Sequence, residues 1–340
     1  MDRLFTIAGP CSAESESQLL RTAGALKDSS PDYFRAGLWK PRTKPGCFEG
    51  MGEKAIPWMQ RVREVTGLRI CTEVACREHV EACLNAGFDL LWIGARTTTN
   101  PFLVEEIATA LEGSSIPVFV KNPASRDIVL WEGAVERLMA HGIKDIGLVH
   151  RGFPSFGETL YRNAPEWQAA ARMRSAFPGL RMICDPSHIA GDSRIVPEIA
   201  QQSLDLGLDG LMVECHVNPG EALSDTAQQL TPKAYKAMLA GLNVRRSDAD
   251  EDDYRNRLSE LRSRIDVYDD AILDALARRM EISREIGRIK KEHNVSILQL
   301  SRWDEIMERA LSAGRAKGLS GEFVRSLFEE IHKASAASQK

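Results

Sequence analysis

The sequence predicts an α/β protein in which a (β/α)8 TIM barrel is followed by a small, separate all-α domain. Eight short apolar runs alternate with segments of helical periodicity, which is typical of repeated βαβ units. A charged stretch ends this alternation near residue 242, and apolar residues beyond it recur only at helical spacing. At 340 residues the chain is long enough for one barrel and one further domain.

The eight runs are apolar at nearly every position, as expected for parallel strands that are covered on both faces. They comprise residues 4–8, 33–38, 68–73, 90–94, 117–121, 145–150, 181–185 and 210–214. The intervening segments carry apolar residues at helical spacing, for example in 195–206. Eight such units favour a closed barrel over an open sheet, and we assign residues 1–242 to it.

Residues 243–254 are rich in charge and are predicted to be a linker, and residues 255–340 are predicted to be helical. Between Leu258 and Ile289 apolar residues keep a spacing of three or four without an internal proline, which predicts one long helix. Two shorter helices are expected around 303–311 and 322–332. Three helices cannot bury so long an apolar stripe alone, so we expect a homodimer that forms through this domain.

The bulk composition excludes several classes of partner. A net charge of -4 gives no global attraction to nucleic acid or to an anionic membrane. The seven cysteines are scattered and odd in number, which favours a reducing compartment. The chain shows neither a signal peptide nor an apolar stretch of about 18 residues, so we expect a cytoplasmic protein.

Chemistry-bearing side chains follow the predicted strands, at the end of a barrel where catalytic residues lie. Cys11, His188, Glu214 and Asp225 supply one thiol, one imidazole and two carboxylates. This donor set suits a divalent transition metal ion such as Mn²⁺, Fe²⁺, Zn²⁺ or Co²⁺. His216 could replace His188 as a ligand.

A second group at the same end is cationic and suits phosphate and carboxylate groups through charge-assisted hydrogen bonds. Its members are Arg35, Lys40, Arg96, Lys121 and Arg151. A small, highly anionic substrate is expected. Glu73 and Asp185 also lie at this rim, where they could organise water or neighbouring side chains.

Several motifs together resemble the 3-deoxy-D-arabino-heptulosonate 7-phosphate (DAHP) synthases. They are Gly-Pro-Cys-Ser at 9–12, Lys-Pro-Arg-Thr at 40–43, Ile-Gly-Ala-Arg-Thr-Thr at 93–98, Asp-Pro-Ser-His at 185–188, and Val-Glu-Cys-His with Ala-Leu-Ser-Asp within 213–225. The resemblance covers residues 3–240. It implies a metal-dependent barrel that joins phosphoenolpyruvate to erythrose 4-phosphate at the entry of the shikimate pathway.

The resemblance also implies roles for individual residues. The metal ligands would be Cys11, His188, Glu214 and Asp225. Phosphoenolpyruvate would be bound by Arg96, Lys121 and Arg151, with Arg35 and Lys40 nearby, and erythrose 4-phosphate by Arg42 and Thr43. Lys40 or a metal-bound water would protonate the new alkoxide. The sister enzymes that use arabinose 5-phosphate typically have an Asn-containing motif in place of Lys-Pro-Arg-Thr, so residues 40–43 favour erythrose 4-phosphate.

Residues 255–340 resemble the all-helical chorismate mutases, which convert chorismate to prephenate. The resemblance implies that Arg262 and Arg279 bind the two substrate carboxylates, one of them across the dimer, and that Lys290 and Gln339 contact the breaking ether oxygen. Arg302 and Ser335 would complete the substrate site. A Claisen rearrangement needs a held conformer and a stabilised ether oxygen, and it needs no cofactor.

Two positions depart from the mutase pattern, since Trp303 replaces the usual Glu and Gln299 replaces a usual Asp. The helical domain could therefore be an active mutase or a sensor that binds chorismate or prephenate without converting it. In either case, fusion to the first enzyme of the pathway suggests feedback inhibition of the barrel by chorismate or prephenate.

Overall fold

The structure is a computed structural model that describes residues 4–41, 46–154, 160–245, 252–296 and 300–339. The chain divides into two compact units, Met1–Ser247 and Asp248–Lys340. The first unit is an α/β barrel and the second is helical. Among the described residues, none of the helices has the length and apolarity that a bilayer crossing requires.

Eight parallel strands close the barrel in the order β1-β8-β7-β6-β5-β4-β3-β2, which confirms the predicted fold class. They are β1 (Phe5–Gly9), β2 (Tyr33–Arg35), β3 (Ile70–Val74), β4 (Leu90–Ile93), β5 (Val118–Lys121), β6 (Ile146–His150), β7 (Arg181–Cys184) and β8 (Gly210–Glu214). The closing pair is β1 with β8, in a register that places Gly9 beside Glu214. Their C-terminal ends therefore meet at one rim.

Strand β2 is shorter than the run 33–38 predicts. Beyond Arg35 the chain leaves the sheet, and Gly37 forms an isolated bridge with Ser12 in the loop after β1. Gly9 permits this close approach of the two loops. It adopts a φ of +152°, and a Cβ there would lie 2.1 Å from the carbonyl oxygen of Arg35.

The helices begin at residues that suit helix starts. Asn100, Asp127 and Thr231 are N-caps whose side chains accept hydrogen bonds from backbone N–H groups of the first turn. The barrel helices are α1 (Glu16–Leu26), α2 (Ile56–Thr66), α3 (Arg77–Asn85), α4 (Ala95–Thr98), α5 (Pro101–Leu111), α6 (Ile128–Ala140), α7 (Trp167–Ala176), α8 (Pro186–Ala190), α9 (Val196–Asp205) and α10 (Pro232–Gly241). Short 3-10 helices span Lys27–Ser29, Gly52–Ala55 and Pro219–Glu221. Two-residue strands, Phe153–Pro154 and Asn163–Ala164, pair as a small hairpin after β6.

Two apolar layers hold the barrel together. One fills its interior and includes Ile7, Trp92, Phe119 and Met212, all at most 1% exposed. The other lies between the strands and the surrounding helices. The filled interior is a packed core rather than a channel, so ligands are restricted to the rim.

The helical unit contains α11 (Asp252–Glu292), α12 (Leu300–Ala316) and α13 (Gly321–Ser338). Helix α13 packs against both others. Gly287 allows the end of α13 to approach α11, because a Cβ at that position would lie 2.7 Å from Gln339 Cα. The N-terminal half of α11 is largely exposed and carries a stripe of exposed apolar side chains: Leu261, Ile265, Tyr268 and Ile272.

Candidate active site

Three of the four predicted metal ligands meet at the rim of the barrel. Cys11 follows β1, Glu214 ends β8 and Asp225 lies in the loop beyond it, and their donor atoms lie within 4.8 Å of one another. Cys11 Sγ is 3.3 Å from Asp225 Oδ2. Residues 214 positions apart in the chain are thus brought together by closure of β1 against β8.

His188, on α8, lies beside these three residues, but its donor atom is not within 4.8 Å of all of them. Its Nε2 atom lies 3.8 Å from Glu214 Oε1 and 3.8 Å from Asp225 Oδ2. Its other ring nitrogen, Nδ1, lies 2.8 Å from Asp185 Oδ2, so this carboxylate orients the ring. The alternative, His216, accepts a hydrogen bond at Nδ1 from Asn218 N, and its Nε2 lies 3.7 Å from Glu14.

The spacing of these donors fits a metal ion. Ligand atoms bound at about 2.0 to 2.3 Å in tetrahedral geometry lie about 3.3 to 3.8 Å from one another. Three donor separations fall in this interval: 3.3 Å from Cys11 Sγ to Asp225 Oδ2, and 3.8 Å from His188 Nε2 to each of Glu214 Oε1 and Asp225 Oδ2. Sulfur, nitrogen and oxygen donors together suit a divalent transition metal.

The charges at the site also fit a cation. Burial raises the pKa of the Cys11 thiol to about 12, and the Glu214 carboxylate adds to the effect. Burial lowers the pKa of His188, which keeps the imidazole neutral and able to ligate. Burial opposes ionisation of Asp225, but His188, Arg162 and Lys40 outweigh it and hold its pKa below the usual range. A bound divalent ion would likewise lower the pKa of the Cys11 thiol and favour its thiolate form.

A cationic cavity of about 240 Å³ adjoins the donor cluster. Its lining includes five cationic side chains, Lys40, Arg96, Lys121, Arg151 and Arg162, together with His188 and Asp225 from the donor set. The structure therefore brings four of the five predicted cations to one cavity. Arg42 and Thr43, predicted for erythrose 4-phosphate, lie outside the described residues.

Arg35 does not line this cavity. Only 1% exposed, it forms a 3.0 Å ion pair with Glu214 and lies over the Trp92 ring. Its Nε and Nη1 atoms have no hydrogen-bond partner in the part of the chain that the structure describes. Its position in β2 directs it into the barrel, toward the metal-ligand set.

The cavity cations are only partly neutralised by protein groups. Lys121 forms a buried 2.7 Å ion pair with Asp185. Burial lowers the pKa of Arg151 to about 10; Asp185 opposes this shift, and the nearby charges of Arg162 and Arg96 add to it. Clustered cations of this kind favour a bound anion.

Arg162 and Gln228 were not predicted as site residues. Arg162 lies between β6 and α7 and belongs to no barrel strand, and Gln228 lies in the loop after β8. Neither carries a periodic or motif signal in the sequence. Their proximity to Asp225 is visible only in three dimensions, where Arg162 Nη1 lies 3.0 Å from Asp225 Oδ1.

In the helical unit, α11 and the end of α13 bring four polar side chains together. Arg279 donates to Ser335 Oγ, and Gln339 Nε2 donates to Ser283 Oγ at 3.0 Å. Ser283 Oγ donates to the carbonyl oxygen of Ser335 at 3.2 Å. Arg279, Ser335 and Gln339, all predicted mutase residues, thus lie at one helix junction.

The other predicted mutase residues lie elsewhere on the unit. Arg302, on α12, pairs with Glu305 at 2.8 Å on the surface. Lys290 is half-buried on α11, and Arg262 is exposed near its other end. At about 1.5 Å per residue, Arg262 lies roughly 25 Å along α11 from Arg279. One protomer cannot bring both arginines to the same small molecule.

Trp303 occupies the position where the mutase pattern has Glu. Its ring lies 4.3 Å from the ring of His332, so it joins α12 to α13. Gln299, the second departure, lies outside the described residues.

Comparison with known proteins assigns both units. Residues 1–247 match the DAHP synthetase I family. The chain belongs to this family. Residues 261–340 match chorismate mutase type II, so the helical unit carries the second predicted domain.

Relatives of this chain carry two different names. A phospho-2-dehydro-3-deoxyheptonate aldolase of Thermotoga maritima is 30% identical over 69% of this chain and 68% of its own. A 2-dehydro-3-deoxyphosphooctonate aldolase of Nitratidesulfovibrio vulgaris is 28% identical over 71% of this chain and 92% of its own. Membership of the family alone therefore does not decide which aldehyde is condensed.

A solved structure shows the same fold. The crystal structure of the Thermotoga maritima phospho-2-dehydro-3-deoxyheptonate aldolase aligns with a TM-score of 0.63 at 29% identity, covering 70% of this chain and 67% of that one. Together, the two family assignments support a bifunctional enzyme of aromatic biosynthesis.

Proposed function

We propose that the barrel condenses phosphoenolpyruvate with erythrose 4-phosphate to give DAHP and phosphate. The observation that carries the proposal is the shared rim, where a sulfur, nitrogen and oxygen donor set adjoins a cavity of five cations. The cations suit two phosphorylated substrates, and the donor set suits a divalent metal. When bound, the ion would supply Lewis acidity toward the aldehyde oxygen.

The protein's own side chains would bind and orient the substrates and supply the proton. Arg96, Lys121 and Arg151 would hold the phosphate and carboxylate of phosphoenolpyruvate, fixing C3 for attack on the aldehyde carbon. Lys40 lines the same cavity and would donate the proton that the new alkoxide needs. Water adds at C2 and phosphate leaves. Arg35 would support Glu214 instead of touching the substrate.

The aldehyde is the first point to test, because relatives of both kinds share this fold. Phosphoenolpyruvate loss would be measured with erythrose 4-phosphate and, separately, with arabinose 5-phosphate, using metal-loaded enzyme. We expect turnover with the four-carbon sugar and a kcat/KM for arabinose 5-phosphate lower by at least about 100-fold, roughly 2.7 kcal/mol. Preference for arabinose 5-phosphate would overturn this assignment.

We propose that the helical domain, residues 255–340 after a linker at 243–254, is a chorismate mutase. Arg279, Ser335 and Gln339 lie together at the junction of α11 and α13, where they could bind one carboxylate and the ether oxygen of chorismate. Lys290, on the same helix, would also contact that oxygen, with Arg302 assisting at the substrate. A pericyclic rearrangement asks for no more than such positioning and charge stabilisation.

The second carboxylate would require a partner copy. Arg262 lies about 25 Å along α11 from Arg279, at 1.5 Å per residue, so the same protomer cannot supply both. The exposed stripe on that half of α11 offers a surface for a second α11. An antiparallel pairing of two copies would bring Arg262 of each to the Arg279 site of the other, which makes the proposed homodimer part of the active site.

A sensor without catalysis is the second candidate for this domain, and Trp303, whose ring contacts that of His332, favours it because it stands where the mutase pattern has Glu. An indole cannot accept a hydrogen bond from the substrate hydroxyl as a carboxylate does. Chorismate loss in the presence of the purified chain decides between the two functions. Turnover supports the mutase, whereas binding without turnover supports the sensor.

Feedback from the helical domain to the barrel is proposed with either function. Chorismate or prephenate bound there would lower barrel activity through coupling between two distinct sites. Barrel kinetics would be measured with rising prephenate concentration. Unchanged kcat and KM at saturating prephenate, and likewise at saturating chorismate, would eliminate this regulation. We also propose that the protein is cytoplasmic, because its scattered cysteines suit a reducing compartment.

A further inference from the structure

Two polar side chains outside the predicted donor set connect its two carboxylates. Arg162 Nη1 donates to Asp225 Oδ1 at 3.0 Å and to Gln228 Oε1 at 2.5 Å. Gln228 Nε2 in turn donates to Glu214 Oε2 at 2.7 Å. A continuous hydrogen-bonded bridge therefore runs from Asp225 through Arg162 and Gln228 to Glu214.

The bridge uses one oxygen of each carboxylate and leaves the other for the donor cluster. Asp225 Oδ2 is the oxygen that lies 3.3 Å from Cys11 Sγ and 3.8 Å from His188 Nε2. Glu214 Oε1 is the oxygen that lies 3.8 Å from the same His188 nitrogen. Arg35 also donates to Glu214 Oε1, but a carboxylate oxygen has a second lone pair.

The chemistry of the bridge permits one arrangement only. Arg162 can only donate hydrogen bonds, and an ionised Glu214 can only accept them. The amide of Gln228 must therefore point its oxygen to Arg162 and its nitrogen to Glu214. Gln228 is 1% exposed, and reversing its amide would leave unfavourable contacts at both ends.

The bridge also restrains an unusual backbone. Asp225 has a φ of +50°, in the left-handed region that residues other than glycine seldom adopt. Its side chain reaches the donor cluster from that conformation. The hydrogen bond to Arg162 holds it there.

We infer that Arg162 and Gln228 are positioning residues that select which oxygen of Asp225 and of Glu214 faces the metal ion, and so set metal affinity. The inference rests on the proposed metal-dependent function of the barrel. Hydrogen-bond partners of metal ligands typically contribute 10- to 100-fold to metal affinity. Gln228 is the cleaner probe, because Arg162 lines the substrate cavity and Gln228 does not.

The first test removes both hydrogen bonds of the amide with Gln228→Leu. Metal-free full-length protein would be titrated with Co²⁺ and the Kd read from the absorption of the bound ion. We expect the Kd to rise about 10- to 100-fold. At saturating metal, the KM for phosphoenolpyruvate should stay within about twofold of the wild-type value, since the phosphate-binding cations are unchanged. The matched control is Gln202→Leu on α9, where the glutamine donates to Glu198 on the surface, and its Kd should not change.

A second set of variants tests whether the two residues act as a unit and also covers the event that Gln228→Leu fails to fold. Arg162→Met should weaken Co²⁺ binding on the same scale, and Arg162→Lys should recover part of the loss. The double variant should bind Co²⁺ about as weakly as the weaker single variant, because either change breaks the same bridge. Arg172→Met, which removes an ion pair with Glu132 on outer helices, is the control.

Three results would overturn the inference. One is a folded Gln228→Leu protein with a Kd within twofold of wild type. Another is a double variant whose loss is the product of the two single losses. The last is wild-type protein that binds no Co²⁺, which would also refute the proposed metal dependence, whereas the first two results leave that proposal standing.

Discussion

Lys40 lies between the metal donors and the substrate cavity. Its Nζ is 3.1 Å from Cys11 Sγ and 3.1 Å from the Cys11 carbonyl oxygen, and it lines the cavity beside Arg96. Burial tends to lower the pKa of this amine, but Cys11 and Glu73 outweigh burial and raise it. The side chain therefore enters the reaction protonated, as a proton donor must.

Replacing Lys40 by Met tests this role. We expect kcat for DAHP formation to fall about 100- to 10,000-fold at saturating metal, since a positioned general acid contributes on that scale. Steady-state kinetics would be compared with Lys54→Met, which changes an exposed lysine of a 3-10 helix. Near-normal turnover by Lys40→Met would exclude it as the donor.

Adjacent arginines on α11 provide a matched pair for the mutase. Arg279 is half-buried and donates to Ser335, whereas Arg278 is exposed. Arg279→Met should lower kcat/KM for chorismate about 100- to 1,000-fold, because it removes a charge-assisted hydrogen bond in a site that works by electrostatics. Arg278→Met should leave the value within about twofold. The loss of chorismate absorbance measures kcat/KM for both variants. Equal decreases in the two variants would show that the mutase site lies elsewhere.

The sequence motifs predicted the donor cluster at the rim but not everything around it. Cys11 follows a strand and Glu214 ends one, both within recognisable motifs, so their place at the rim could be predicted. The direction of the Arg35 side chain could not be predicted. A position at the rim does not show whether a side chain faces a substrate or a neighbouring carboxylate. Arg162 and Gln228 were missed, since their contacts join loops 66 residues apart and leave no local pattern.

At the level of elements, a histidine joins the ends of two barrel helices. His141 follows the last residue of α6, and its ring contacts two glutamates of the α5 region. Its Nδ1 lies 2.6 Å from Glu112 Oε1, and its Nε2 lies 2.9 Å from Glu105 Oε1. Arg137, on α6, also pairs with Glu105. Hydrogen bonds to Glu105 and Glu112 raise the pKa of His141. When protonated, the imidazole therefore ties α5 to α6.

This contact predicts a pH-dependent stability. A raised folded-state pKa means that the stabilisation is fully present below the unfolded pKa of about 6.5, provided the glutamates are ionised, and is lost as pH rises through the folded pKa. The barrel of His141→Gln should therefore melt lower than wild type near pH 6, with little difference near pH 9. Thermal unfolding at the two pH values measures this, and a deficit that grows with pH would contradict it.

Most elements could be predicted because their apolar patterns are long. The eight strands are where the runs placed them, and the long helix extends as Asp252–Glu292. The predicted end of β2 was wrong by three residues. Residues 36–38 are buried in a loop that is held by the bridge between Ser12 and Gly37. An apolar pattern indicates only that residues are buried. Because this loop is buried like the strand before it, the pattern could not show where the strand ends.

For the whole molecule, the exposed stripe on α11 predicts a dimer that is necessary for mutase activity. Ile272 is 56% exposed within the stripe. Ile272→Glu should produce monomers in analytical ultracentrifugation, because it places charge in an apolar contact, and chorismate turnover should fall with it. Asp270→Lys, on the opposite face of α11, should remain dimeric. Wild-type monomers with full mutase activity would refute the shared site.

One chain is proposed to carry two chemically independent active sites, of which only the barrel site needs a metal. The most direct measurement assays both activities on a single purified sample, before and after removal of divalent ions by a chelator. We expect that the chelator stops phosphoenolpyruvate loss with erythrose 4-phosphate, that adding Mn²⁺ or Co²⁺ restores it, and that chorismate loss continues unchanged throughout. Barrel activity that persists in the chelator would refute the metal dependence of the barrel.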